Sequence, residues 1–451
     1  MNTLFIFLLV MAILFIGLIV LKISPGIMLF VSAILMGVLT KMEISEILKL
    51  TTSGFGNMMT SIGLLIIYGG VFGAMLGDSG GMEELAKGFL RKFGKKFDML
   101  ALNLTGFIIS IPVYFGSAYI TLSPLLGSLQ RLTKKSTSAY VAALFTGLLL
   151  THCVVAPTPG PLAVAGQLNA NIGWFIIYGI LVALPASLIC GWKYGDLLNK
   201  KNQRDEKIIG GQISEELIKA DLSKPSAGLT LLLIGLPIIL IIIKSIAILI
   251  LDEQSMIYKI FLFLGDNNIA LFIAMIVSGL VLQKYLINDK INSIWKYIDV
   301  VSDKVGNILL VIGTGGSFAS VLQASGVADS LVDLLTSLNL PILLLAFLLA
   351  MIIRAAVGSA TVAMLTTVAI VGQGAVAHGY SPIIVGLSIC IGTVGLTLPT
   401  DAAFWLPARY NDLSVNQAIQ ATTIPNTIAS IIAFIILMII QNFSGQLPGM
   451  F

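Results

Sequence analysis

Ionisable side chains are rare inside the apolar stretches of this 451-residue chain, and the few found there mark where chemistry could be done. Arg354, His152 and Asp401 lie well within such stretches, and Asp78 stands near the end of another. Charge in hydrocarbon is costly, so such residues face a bundle interior or a water-filled cavity and read by default as functional. Arg354 is permanently charged and presents a planar fork of donors that fits a carboxylate. Its other reading is a structural ion pair, most simply with Asp401. His152 titrates near neutrality when unperturbed and so could carry a proton; its other reading is a neutral histidine bonded to a carbonyl. Asp401 offers three roles: protonation, pairing with Arg354, or coordination of sodium.

Polar and flexible residues gather at the same places. Ser117, Thr158, Ser359, Thr361 and Thr400 offer hydroxyls, and Gly116, Gly160 and Gly358 allow close backbone approach. Small residues also let membrane helices touch, so plain packing is their simpler reading. Asn411 and Asp412 read as a helix cap. No paired-carboxylate metal site, His/Asp/Glu cluster or nucleophile with its base is present in the pattern, which argues against a membrane enzyme. Cys153, Cys190 and Cys390 lie far apart in apolar segments and read as buried thiols rather than a disulfide or a metal site.

The elements that hold these residues follow from composition. The chain is 57% hydrophobic and 11% charged, with a mean hydropathy of +0.99; soluble domains carry about 25% charged residues. This is an all-α polytopic membrane protein. The net charge of +4 comes from basic residues in short loops, so nucleic acid is not an expected partner and the bilayer is. Residues 1–21 lack a basic start and a small-residue cleavage site, and read as a retained first span. About 20 apolar residues cross the hydrocarbon. Ten crossings are expected, at 2–21, 24–40, 58–78, 138–168, 172–194, 228–250, 268–286, 304–325, 381–408 and 422–441.

Two further stretches, 98–130 and 340–376, are too long for one crossing, and each has a polar, glycine-rich middle (IPVYFGSAYI and IIRAAVGSATV). The first is flanked by Lys and Arg on both sides, so the positive-inside rule makes it a re-entrant hairpin from the cytoplasm. The second has no lysine and is expected to enter from outside. Both termini are then extracytoplasmic, in the cytoplasmic membrane. All of the 26 Lys and Arg residues except Lys41, Lys49, Lys244, Lys259 and Arg354 fall on the cytoplasmic side.

The halves repeat. GGVFGAMLGDSG at 69–80 matches GGSFASVLQASG at 315–326 at six of twelve positions. GSA recurs at 116–118 and 358–360, PT at 157–158 and 399–400, and the GSA-to-PT distance is 41 residues in both. Five crossings per half is an odd number, so the second copy is inverted. The expected organisation is a first five-helix repeat at 1–196 (hairpin 98–130, broken helix 138–168), a cytoplasmic linker at 197–227, and a second five-helix repeat at 228–451 (hairpin 340–376, broken helix 381–408). Prolines at 157, 159 and 161 interrupt the first broken span, and PTDAAFW interrupts the second. Inverted repeats with broken helices near the midplane are the architecture of secondary transporters. The free N–H groups and positive dipole ends of half-helices there can hold an anion.

HCVVAPTPGPLA resembles the H-x-x-V-P-P-x-P-G-P segment of the gluconate:proton symporter family. RAAVGSATVAMLTT resembles that family's R-x-A-x-G-S-A-T-V-A segment, and PTDAAFW its N-D-S-G-F-W segment. His152, Pro157, Pro159, Gly160 and Pro161 match the first, with Ala156 in place of a proline. Arg354, Gly358, Ser359, Ala360 and Thr361 match the second, and Asp401, Phe404 and Trp405 the third. The resemblance implies proton-coupled uptake of a sugar acid or small hydroxy-carboxylate, by a homodimer working as an elevator. Thr400, Ala402 and Ala403 depart from the pattern, which shifts the expectation toward a smaller or less hydroxylated acid than gluconate. In this reading Arg354, Gly116, Ser117, Thr158, Gly160, Gly358, Ser359, Thr361 and Thr400 bind substrate, and Asp401 or His152 carries the proton. No cofactor or bound metal is expected. Sodium coupling with a carboxylate or dicarboxylate is the alternative, and a channel is a more distant one.

Overall fold

The computed structural model describes residues 3–202, 221, 223–286, 294–326, 341–399 and 401–450. Every regular element among them is helical. Seven of these helices are long and apolar enough to cross a membrane: Ile44–Asp78, Thr137–Gln167, Ile172–Lys201, Ala227–Ile248, Asn267–Leu286, Ala360–Ala377 and Val415–Gln441. Shorter apolar helices include Pro25–Leu39, Asp98–Ile109, Ile342–Val357 and Pro382–Gly392. Large apolar side chains stand exposed along the outer helices, as at Ile424, Ile428, Ile431, Ile435 and Ile439. That i, i+4, i+7 spacing draws one continuous outward stripe, as expected of a face that meets lipid.

Two helices run longer than the hydropathy pattern suggests. Apolar density places a crossing at 58–78, yet the helix begins at Ile44 and covers 35 residues. Its first part, ISEILKLTTSGFGNM, is amphipathic with no proline, so nothing stops the turns at the edge of the apolar run. Likewise Ile294–Ala324 is one helix of 31 residues, where hydropathy places a span at 304–325. Several helix starts carry side-chain caps. Ser136, Asn171, Ser226, Ser255 and Ser359 each accept a backbone N–H from the first turn that follows.

The core is built around Thr137–Val154, every residue of which is buried. It lies against Asp98–Ile109 at backbone distance. A Cβ placed on Gly147 would sit 2.3 Å from the Asn103 carbonyl oxygen, and one on Gly106 would sit 2.7 Å from that of Leu144. Asn103 fixes the junction by donating to the Ala143 carbonyl (2.9 Å) and accepting from Ser187 (3.2 Å). Close glycine-mediated approach with polar pinning is how helices associate without a hydrophobic driving force.

Helix breaks fall in the four regions singled out by the repeat. The 98–130 stretch is two helices, Asp98–Ile109 and Phe115–Thr133, joined at 110–114. The 340–376 stretch is Ile342–Val357 and Ala360–Ala377, joined at Gly358 and Ser359. Thr137–Val154 stops before the prolines and resumes as Pro159–Gln167. Pro382–Gly392 ends in a non-helical run, and Trp405–Tyr410 follows. Backbone groups released by a buried break must find partners. In the last break Thr427 Oγ1 accepts from the Leu396 N–H (3.1 Å), Thr423 donates to the Thr397 carbonyl (2.5 Å), and Trp405 donates to the Pro399 carbonyl (2.9 Å). Most of the expected linker at 197–227, and Thr400, lie outside the described residues.

Candidate functional site

Three of the four breaks converge on a cavity of about 340 Å³. Arg354, in the last turn of Ile342–Val357, is only 3% exposed and forms an ion pair with Asp401, which is 5% exposed. The Asp401 carboxylate also accepts the Ala403 N–H at 2.8 Å, which holds it at the start of the short 402–404 turn. Gly358 ends its helix in the left-handed region (φ +71°), a conformation cheap only for glycine, and so brings Arg354 and Ser359 to the same wall. The guanidinium is not saturated: its Nε is buried with no hydrogen-bond partner among the described residues.

His152 also lines this cavity. Its Nδ1 is buried with no partner among the described residues, so the histidine-to-carbonyl bond weighed from sequence is absent at that nitrogen. Tyr114 stands edge-on to its ring, with centroids 5.1 Å apart.

Three helix N-termini meet here. Phe115 and Gly116 begin one and Ala360 and Thr361 another, all on the cavity wall. Pro159 begins the third and lines an adjoining space of about 160 Å³ that shares Tyr114, His152, Ser359 and Thr361. First-turn N–H groups lack intrahelical partners and carry partial positive charge, so the cavity suits an anion even beyond Arg354.

The structure thus brings Arg354, Asp401, His152, Gly116, Gly358, Ser359 and Thr361 onto one cavity. Thr400 lies outside the described residues, and Thr158, Gly160 and Ser117 lie elsewhere. Thr158 spends its hydroxyl within its own break, donating to the carbonyls of His152 (2.9 Å) and Val155 (2.7 Å). Gly160 packs against Met364, whose Sδ would lie 2.7 Å from an added Cβ. Ser117 faces a separate cavity of about 350 Å³ with Asp78, because the first break ends at Tyr114 and GSA already lies in the helix that follows. The second GSA sits on the break itself. Tyr114, which sequence reading passed over, lines all three cavities. Asn411 does more than cap a turn: it accepts from the Tyr119 hydroxyl (2.7 Å) and donates to the Ser123 carbonyl (3.1 Å).

A sequence profile of the GntP family permeases matches residues 1–443 of this chain. The chain belongs to the GntP permease family. The permease is 32% identical to the D-serine transporter DsdX of Escherichia coli K12 over 415 residues, spanning 91% of this chain and 92% of that one. It is 31% identical to the gluconate permease of Pseudomonas aeruginosa over 437 residues (94% and 95%). It is 32% identical to the low-affinity gluconate transporter of E. coli K12 over 408 residues (89% and 90%). Its fold is similar to that of the Alcanivorax borkumensis YdaH transporter, with a TM-score of 0.63 at 15% identity over 90% of each chain. Neisseria gonorrhoeae MtrF is also similar, with a TM-score of 0.62 at 16% identity over 88% of this chain and 84% of that one. The permease is therefore a multi-pass membrane transporter of a small molecule and not an enzyme.

Proposed function

We propose that this permease takes up a small hydroxylated monocarboxylate together with a proton, and that the Arg354 cavity is where both are loaded. The observation that carries this reading is a buried arginine that holds one carboxylate, Asp401, and keeps a free Nε in a cavity rimmed by helix N-termini. A volume of about 340 Å³ lies at the lower end of the roughly 300–1,000 Å³ usual for ligand sites, which suits a small metabolite. Ser359 and Thr361 offer hydroxyls beside the arginine. Relatives named for gluconate and D-serine fit the same chemistry, since each solute combines a carboxylate with at least one hydroxyl group.

Charge balance gives the coupling. The empty Arg354–Asp401 pair is neutral, and an incoming carboxylate would leave the buried site with a net negative charge. A proton on Asp401 restores neutrality and releases the guanidinium to the substrate; His152, which lines the same cavity, is the second candidate for that proton. Burying an unpaired charge is far costlier than burying a neutral set, so anion and proton load together. In this reading 98–130 and 340–376 are re-entrant hairpins of inverted repeats. They carry the site past a dimeric scaffold, with both termini extracytoplasmic.

The test is uptake into liposomes holding the purified protein, with gluconate, glycerate, D-serine and lactate offered under an inward proton gradient and choline replacing sodium. The expected result is saturable accumulation of at least one of these acids, collapsed by a protonophore. Arg354→Ala is expected to weaken substrate binding by about 30-fold or more. Normal uptake by Arg354→Ala sinks the carboxylate assignment, and uptake only of a dicarboxylate with sodium moves the reading to sodium coupling.

A further inference from the structure

Two further cavities stand beside the proposed chemistry unused by it, one that shares Tyr114 with the Arg354 cavity and is lined in part by Asp78, and a separate one of about 330 Å³. Both draw on the repeated GG motif at matching positions. Gly70, Gly73, Ala74 and Gly77 line the Asp78 cavity. Their counterparts Gly316, Ala319, Ser320 and Gln323 line the second. Both cavities also touch the long helix Ile44–Asp78, one near Asn57 and the other near Ala74. At 1.5 Å per residue those points lie about 25 Å apart along the helix, close to the thickness of the hydrocarbon core. The two cavities therefore lie toward opposite ends of a spanning helix.

Their chemistry differs. The Asp78 cavity contains a carboxylate, hydrogen-bonded to the Tyr297 hydroxyl at 2.7 Å, among small residues. None of the described residues lining the second cavity is charged. It is instead rich in amides and hydroxyls from four helical segments, with Asn57, Ser61, Gln167, Ser320, Gln323 and Gln373 around one space. The Gln167 side-chain nitrogen is buried with no partner among the described residues, while the Gln167 backbone carbonyl accepts from the Gln373 side-chain amide at 2.5 Å. Packing alone does not call for this set, because the matching cavity manages with Gly73, Ala74 and Gly77 where this one has Ala319, Ser320 and Gln323.

We propose that the amide-lined cavity is a second binding site, which takes the uncharged polyhydroxyl part of a solute before or after the Arg354 site holds its carboxylate. Side-chain amides donate and accept at once, as a hydroxyl does, so an array of them recognises a polyol without a charge. The absence of a cation among the described lining residues makes the site indifferent to the carboxylate, which leaves that group to Arg354. The identity of the solute rests on the transport reading above; the existence of the site does not.

The experiment uses a single reporter thiol. The native Cys153, Cys190 and Cys390 are all buried, so Ser320→Cys in the full-length protein in liposomes gives a cavity-specific target for a maleimide. The probes are gluconate, sorbitol and an equal osmolarity of potassium chloride, and Gln323→Cys serves as a second reporter should the first perturb packing. The expected result is that gluconate and sorbitol each slow labelling several-fold while potassium chloride does not. That protection persists when Arg354→Gln and Asp401→Asn are combined to neutralise the central pair, and Gln167→Leu weakens it. Equal rates with all three solutes overturn the proposal, as does protection that vanishes with the central pair. Protection by sorbitol in a protein that transports none of the acids would keep this site and discard the carboxylate reading.

Discussion

The Tyr119 hydroxyl donates to the side-chain oxygen of Asn411 across 2.7 Å, joining two residues 292 positions apart in the chain. Tyr119 lies on the helix that follows the first break, and Asn411 directly after the helix that follows the last one. Because the Asn411 amide also donates to the Ser123 carbonyl, one side chain ties the far end of the second broken segment to the helix Phe115–Thr133. Tyr119 is fully buried, so removing its acceptor strands a polar group. Asn411→Leu is expected to cost about 1–3 kcal/mol of stability. In a double-mutant cycle read by thermal unfolding in detergent, adding Tyr119→Phe is expected to cost less than the sum of the two singles. Strict additivity would show that the bond contributes nothing.

The contact between Asp98–Ile109 and Thr137–Val154 gives a second test. Gly147→Ala puts a methyl 2.3 Å from the Asn103 carbonyl oxygen and 3.0 Å from the Phe107 nitrogen, both backbone atoms that cannot rotate away. The expected cost is about 1–3 kcal/mol, seen as a lower melting temperature. Gly56→Ala is the control, since nothing lies within 4 Å of its added methyl. There the change is expected to be neutral or slightly stabilising, because alanine is the better helix former. Equal effects at the two positions would mean that the glycine contact is not what sets the helix spacing.

How much of this was readable in advance depends on how local the cause is. Arg354, Gly358, Ser359 and Asp401 stood out in the sequence because a charge in an apolar run and a glycine beside a serine are local signals. The proline break after Val154 was legible for the same reason. Tyr114 was not: an aromatic in an apolar stretch reads as packing, and only the break at 110–114 makes it line three cavities. Ser117 was read as the twin of Ser359, but the two breaks differ by a few residues in where they fall relative to GSA, so the twins face different spaces. Thr158 looked free to bind substrate, yet a proline-rich break has unmet carbonyls of its own, and its hydroxyl serves those. The partners of Asn411 are nonlocal, and no spacing rule announces them.

Away from the apolar segments, the Gly81–Phe93 helix is tied to Lys224 by charge. Lys224 bonds Glu83 at 2.6 Å, and Lys87 bonds Glu83 at 2.7 Å and Glu84 at 3.1 Å. Burial alone would raise the Glu83 carboxyl, but hydrogen bonds from Lys224 and Lys87 outweigh it and hold the group below its ordinary value near 4.5. A depressed carboxylate contributes stability that is fully present above its unfolded value and fades as pH falls through the folded one. Melting temperature is therefore expected to drop on acidification below about pH 4.5, with a smaller drop in Glu83→Gln. Identical acid profiles for the two proteins would remove Glu83 from the tie.

The Arg354–Asp401 pair is both a structural contact and the proposed loading device, and the two roles separate under mutation. Arg354→Ala leaves Asp401, 5% exposed, as an uncompensated buried charge. Breaking a buried pair this way costs about 3–5 kcal/mol. Combining Arg354→Gln with Asp401→Asn removes both charges while keeping donor and acceptor groups in place, and replacing a buried pair by neutral groups is often harmless to folding. The double variant is thus expected to melt close to the parent protein and far above Arg354→Ala. Uptake, however, requires a cation for the carboxylate and a titratable partner for the proton, and the double variant has neither at this position. It is expected to fold, to reconstitute and to accumulate no substrate against a gradient. Restored uptake alongside restored stability would reduce the ion pair to scaffolding and send the search for the anion site to the helix N-termini at Phe115 and Ala360.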